Sequence, residues 1–177
     1  MRILSFVSIL IALAAACTSP PEPTAAELAA DHWKGSVQIS YEDGWETTFR
    51  EGTLDVTTNE RGLHIANGLG FAWDVELAYN DGYDSEWRTL DGGTVVVAYA
   101  YDTDSLFFAA RPPTADLLQA VRAQGGHDES GQALPPADPS AVDAIPIESI
   151  HMRLVRATDP RLQAVLDCGP VVGCYPY

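Results

Sequence analysis

Three cysteines, four histidines and an excess of acids hold the chemistry that this chain could perform. Cys17 ends a run of fourteen uncharged residues, Ile3 to Ala16, and directly precedes the polar, proline-rich stretch Thr18-Ser19-Pro20-Pro21-Glu22-Pro23. Cys168 and Cys174 bound a loop of seven residues that contains Gly169, Pro170 and Gly173 and can turn tightly. That pair lacks the spacing of a Cys-X-X-Cys redox motif. His32, His64, His127 and His151 stand far apart in the chain. His127-Asp128-Glu129 falls in a stretch that reads as an exposed loop, a poor place for ligands that need fixed distances, so no metal is expected. Asp81 with Asp84 and Asp102 with Asp104 cluster at turns. Their spacing misses the calcium-loop pattern, and aspartate is a good turn residue in its own right. The sequence has no phosphate-cradling glycine loop before a helix, no His-Glu-X-X-His and no Gly-X-Ser-X-Gly. The 25 acids permit many carboxylate pairs of the kind used in glycoside hydrolysis, but abundance selects none of them. No catalytic residue and no cofactor is expected.

The N-terminal residues say more. Met1-Arg2 is a short positive start. The uncharged run behind it is too short for a hydrocarbon core of roughly 30 Å, which needs about 20 residues. Its length suits the apolar region of a signal peptide, with small residues where a peptidase cuts. Leu13-Ala14-Ala15-Ala16-Cys17 resembles the lipobox of bacterial lipoproteins, a likeness confined to residues 1–17. The resemblance implies that Cys17 receives a diacylglycerol on its thiol. It also implies that residues 1–16 are removed and that the new amino group is acylated. Ala14 stands where that family prefers leucine. Thr18, in place of an aspartate after the cysteine, implies sorting to the outer membrane, facing the periplasm. The alternative is an ordinary secretory signal with a chance cysteine at the cut. With Cys17 acylated, Cys168 and Cys174 remain as a pair, for which an exported protein expects a disulfide. Closing that loop is worth about 2.4 kcal/mol on a chain-entropy estimate. A catalytic pair and free thiols stay as alternatives.

The three segments are then a signal peptide (1–16), a lipidated tether (17–31) and one acidic β-rich domain (32–177). Removing residues 1–16, which hold Arg2 and no acid, leaves 161 residues with 9 basic and 25 acidic side chains, a net charge of −16. That length is enough for a real core. Such a charge disfavours nucleic acid, whose binding rests on Lys and Arg. It is also repelled by anionic lipid, so the acyl group and not the domain surface must hold the protein to the membrane.

The elements follow from periodicity. Thr24-Ala25-Ala26-Glu27 has the form of a capping box for a short helix through Ala30, with a flexible spacer as the alternative. From Gly35 the period is two. Val37, Ile39 and Tyr41 alternate with polar residues, and Glu42-Asp43-Gly44 turns the chain. Residues 46–58 resume, with Gly52 marking a bulge or a second turn. Asn59 to Gly62 turns again, Leu63 and Ile65 flank His64, and Asn67-Gly68-Leu69-Gly70 signals a hairpin. Phe71, Trp73, Val75, Leu77 and Tyr79 form a face that should be buried, opposite the acidic face of Asp74 and Glu76. Residues 84–90 carry Trp87 and Leu90. The apolar run Thr94 to Tyr101 predicts a strand covered on both faces. After Leu106 to Ala110, Pro112-Pro113 stops the sheet pattern. Thr114 then caps a helix from Ala115 to about Gln124. Residues 125–144 read as an exposed loop, Ile147 to Val155 as a strand, and Asp159-Pro160 as the start of a short helix to about Asp167.

About eight strands with a helix between the last two make an antiparallel meander, closed as a barrel or folded as a sandwich. Trp33-Lys34-Gly35 ahead of the first strand is similar to the entrance of lipocalin-like barrels. The order of Trp and Gly is reversed here, and no binding residue is carried over. Trp33, Trp45, Trp73 and Trp87 pack the core or line a ligand cavity. Three functions are thus in play. The first is a lipid-anchored envelope protein acting by non-catalytic interaction or in a structural role. The second is a carrier of a small apolar ligand, and the third an envelope hydrolase. The partner is the membrane, through the acyl anchor, together with a protein or a small apolar ligand.

Overall fold

The computed structural model describes residues 21–41, 46–91, 94–111, 113–117, 120, 126–127, 133–134 and 147–168. The chain runs α1 (Ala25–Ala29), β1 (Asp31–Tyr41), β2 (Glu46–Thr58), β3 (Gly62–Asn67), β4 (Ala72–Asn80) and β5 (Asp84–Arg88). It continues through β6 (Val95–Ala100), β7 (Ser105–Ala110), β8 (Gly126–His127), β9 (Ala133–Leu134), β10 (Ile147–Arg156) and α2 (Leu162–Cys168). Strands β2 to β7 pair in sequence, each antiparallel to the next. β10 then pairs with both β7 and β1, and β1 pairs with β2. The ladder is therefore closed: eight antiparallel strands form a barrel, which decides between the two architectures that the sequence allows. The two-residue strands β8 and β9 pair with each other, and His127 of β8 reaches Thr48 of β2.

Closure follows from alternation. Directly opposed residues share a face, so the register carries one apolar face around the ring. Val37 faces Met152, Met152 faces Phe108, and Phe108 faces Val97, which faces Trp87. These side chains point inward and are buried together with Ile39, Leu54, Ile65, Val75, Leu106 and Leu154. The outer face of β1 and β10 is also covered. Ser36, Gln38, Ser149, Arg153 and Val155 are buried there, and α2 packs against β1, β2 and β10 with Val165 inward.

Glycine sets the closest approach of the strands. Gly35 of β1 lies opposite Gly52 of β2, where the register shifts and Glu51 takes a left-handed φ of 68°. Gly52 thus marks a bulge in a continuous strand and not a turn. A Cβ on Gly35 would fall 1.8 Å from the Arg153 carbonyl oxygen of β10.

Four expectations are corrected. Leu77 and Tyr79 do not share the burial of Val75; they are 51% and 53% exposed. β3 begins at Gly62, opposite Glu76, so among the described residues β4 has no strand neighbour on that side from Leu77 onward. A bulge after Leu77 then pairs Tyr79 with Glu86, an outward position, and turns its ring out of the barrel. The run from Val95 to Ala100 alternates between buried and half-buried, so its outer face is not fully covered. β5 ends at Arg88, and Leu90 lies in the following turn, exposed. The C-terminal helix begins later than Pro160. The Arg161 amide donates to Asp159 Oδ1 at 2.7 Å, and the α-helix starts at Leu162. A helical turn covers 115–117, with Leu117 buried and its amide donating to Thr114 Oγ1 at 3.2 Å.

Candidate functional site

Strand directions place the β4–β5 turn, the β6–β7 turn, the start of β1 and the end of β10 at one end of the barrel. α1 lies across that end. Its capping box forms as the sequence predicts. The Glu27 amide donates to Thr24 Oγ1, and the Thr24 amide donates to Glu27 Oε2 at 2.7 Å. Ala29 is fully buried, and the Trp33 indole N–H donates to its carbonyl at 2.8 Å. The helix is thereby fixed to the barrel floor.

Arg156 organises this end. It continues the inward series Ile150, Met152, Leu154, and its guanidinium lies 4.7 Å from the centroid of the Trp33 ring. It donates to Asp104 at 2.8 and 2.9 Å, to the Leu28 carbonyl at 2.8 Å and to Asp31. Tyr99 donates its hydroxyl to Asp104 at 2.8 Å, and its ring meets Trp33 edge-on at 6.0 Å. The hydrogen bond from Arg156 holds the Asp104 carboxyl below the usual range, against partial burial. Burial, then Asp104, pushes the Tyr99 hydroxyl up. One cation on an aromatic ring, shared by two carboxylates and a carbonyl, makes a locked floor.

From that floor the β4–β5 turn projects. Tyr83 is 78% exposed, and the exposed rings of Tyr79 and Tyr83 flank the turn with Leu77. The turn itself is rigid. Asp81 Oδ1 accepts from the Tyr83 and Asp84 amides at 2.9 Å each, and the Tyr79 hydroxyl donates to Oδ2 at 2.8 Å. Those amide bonds hold the Asp81 carboxyl below its usual range. The Tyr101 amide donates to the Tyr83 carbonyl at 3.0 Å, and Tyr101 stacks edge-on with Tyr99 at 5.0 Å. A continuous set of contacts therefore joins the hairpin tip to Trp33, Arg156 and α1.

The residues singled out by sequence fall as follows. Cys17, Cys174 and Trp45 lie outside the described residues. So does the Cys168 side chain, whose backbone ends α2. His32 pairs with Asp55 across β1 and β2, and His64 pairs with Asp74 across β3 and β4 at 2.9 Å, all on the outer face. The His64 bond holds the Asp74 carboxyl below its usual range. His151 Nε2 lies 2.7 Å from Ser149 Oγ and 3.1 Å from Arg111. Among the described residues no group of three or more His, Cys, Asp or Glu side chains is placed to hold a metal. Asp81 and Asp104 are engaged by amides and by Arg156, as turn and ion-pair residues.

Trp33 and Trp87 are buried, and Trp73 packs on Phe71 and Phe108 with ring centroids 6.2 and 5.4 Å apart. The cavity bordered by Val37, Gly52, Asn67, Leu69 and Met152 measures about 10 Å³. Asn67 is buried beside it, with its Nδ2 lacking a hydrogen-bond partner among the described residues. Sequence reasoning missed Arg156 and the exposed tyrosines. A basic residue in phase with the inward apolar series was the available signal for the first. Tyrosines on both sides of Asn80-Asp81-Gly82 were the signal for the second. No helix among the described residues is long and apolar enough to cross a membrane. The chain matches no family model, no curated protein and no solved structure.

Proposed function

We propose that this protein is a lipid-anchored envelope lipoprotein whose barrel acts by non-catalytic interaction. The observation that carries the reading is the filled interior. Trp33, Trp87, Phe108 and Met152 occupy the volume that a carrier leaves open. The cavity beside Val37, Gly52 and Met152 holds about 10 Å³, far below the roughly 300–1,000 Å³ of small-molecule sites. The depression of about 420 Å³ lined by Ala30, Asp31 and Asp55 to Thr58 lies open to solvent and does not enclose a ligand. The floor is locked by Arg156, and Tyr79 and Tyr83 project from the β4–β5 hairpin as exposed rings. These features favour a surface that meets a partner over a vessel that encloses one.

The anchor rests on the lipobox-like stretch ending in Cys17. One acyl chain gives marginal attachment and two or more give stable attachment, at about 0.8 kcal/mol per buried CH₂. Cys17→Ser should shift the protein from the membrane to the soluble fraction of lysed cells. Retention at the wild-type level would rule against the anchor. Native mass spectrometry of protein purified from cells tests the filled barrel, with the expected result a domain free of co-purifying lipid beyond the covalent one. A stoichiometric non-covalent lipid would move the reading to a carrier.

A further inference from the structure

We propose that the tip of the β4–β5 hairpin, carrying Leu77, Tyr79 and Tyr83, rests in the headgroup layer of a zwitterionic lipid surface as a second contact beside the acyl anchor. The inference rests on the lipid-anchored reading and goes beyond it by assigning a face and an orientation.

The position of the chain end carries the argument. Only six residues, Thr18 to Pro23, lie between Cys17 and Thr24, the cap of α1, which makes seven Cα-to-Cα steps. Fully extended they span about 25 Å. α1 is fixed to the barrel floor through Ala29, Trp33 and Arg156. A lipid on Cys17 therefore keeps this end, and not the opposite one, close to the bilayer. The hairpin lies at the same end, joined to the floor through Tyr83, Tyr101 and Tyr99.

The side chains suit that neighbour. Tyrosine has an apolar ring and a polar tip, and it concentrates at membrane interfaces for that reason. Tyr79 and Tyr83 are exposed on a turn whose backbone amides are satisfied by Asp81, so a partner strand is not needed to complete it. Leu77 adds an aliphatic group beside them. Asp81 and Asp84 decide which lipid. Carboxylates at this tip match the ammonium of a zwitterionic headgroup and are repelled by an anionic surface. Three side chains would hold a free protein only weakly. Tethering raises the effective concentration to about the millimolar range, which makes a weak contact count.

The test uses the full chain, acylated in cells and reconstituted on vesicles of phosphatidylcholine and phosphatidylethanolamine. Amide hydrogen exchange is read on the segment 77–86. Exchange there should be about threefold or more slower than in the Cys17→Ser chain mixed with the same vesicles. Exchange on β3 (Gly62–Asn67), a barrel strand with a buried inner face, should not change. Tyr79→Ser/Tyr83→Ser also removes the Tyr79–Asp81 bond, so its exchange is compared with that of the same double variant carrying Cys17→Ser; the acylated double variant should stay on the vesicles and show no extra protection. Replacing half the lipid with phosphatidylglycerol should weaken it. An acylated, vesicle-bound chain whose 77–86 segment exchanges as fast as in the Cys17→Ser chain overturns the hairpin contact and leaves the anchor standing. Protection that survives the double substitution also overturns it. An intact mass without the acyl groups overturns both readings.

Discussion

Arg156 shows how much one side chain can decide. It occupies an inward position in a barrel lined mainly by apolar groups, yet it is neither unpaired nor desolvated without compensation. Asp104, Asp31, the Leu28 carbonyl and the Trp33 ring surround it. Arg156→Ala removes these bonds together and should cost about 2–3 kcal/mol, discounted for partial exposure, as read by urea denaturation. The pH dependence has a definite sign. Asp104 titrates lower in the folded chain than in the unfolded one because of Arg156. Its stabilisation is thus complete above about pH 4 and is lost as pH falls through the lower folded value. The stability gap between wild type and Arg156→Ala should narrow on acidification below about pH 4; a constant gap would dissociate Asp104 from the arginine. None of this was legible in advance. The strand ending in Val155 was readable from its alternation, but a single arginine one step beyond gives no indication of which carboxylates the fold will bring to it.

At the scale of elements, alternation was the strongest signal and also the source of the main error. The strands, the capping box at Thr24 and the hairpin at Asn67 were readable because each rests on local chemistry. The burial of Leu77 and Tyr79 was misread because it depends on where the neighbouring strand starts and on a bulge, and both are long-range facts. Gly35 is similar. Its sequence context suggests only a strand start, whereas the structure places the backbone of β10 against it. Gly35→Ala should therefore cost about 3 kcal/mol or more, since backbone must move to admit the methyl group. Gly70 makes a control. Its φ is +90° but nothing lies within 4 Å of a Cβ there, so Gly70→Ala should cost about 1 kcal/mol from backbone strain alone. Equal losses at the two sites would refute the close approach of β1 and β10.

For the whole molecule, charge and attachment act on different coordinates. A net charge of −15 favours solubility and disfavours contact with anionic surfaces. In the proposed reading an acyl anchor sets distance from the bilayer, and the hairpin contact sets which end faces it. Cys168 and Cys174 bear on the other end of the chain. In an oxidising compartment the pair should form a disulfide just beyond α2, the helix that covers the outer face of β1 and β10. Non-reducing peptide mapping should recover the two cysteines in one linked fragment; two alkylated thiols would refute the staple and weaken the case for export. The function itself was the least legible property, because a filled barrel uses its residues for packing and leaves no constellation whose spacing names a reaction.

The ring of strands is completed by its last member. β10 sits between β7 and β1, and it is synthesised after every other strand of the barrel. Until Ile147 to Arg156 has left the ribosome, two raw sheet margins exist with no mate, and Arg156 has not yet reached Trp33. A nascent chain therefore cannot close the ring before that last strand emerges. By the same logic, a chain terminated ahead of Ile147 keeps both margins sticky and should end up as an aggregate or as a protease substrate.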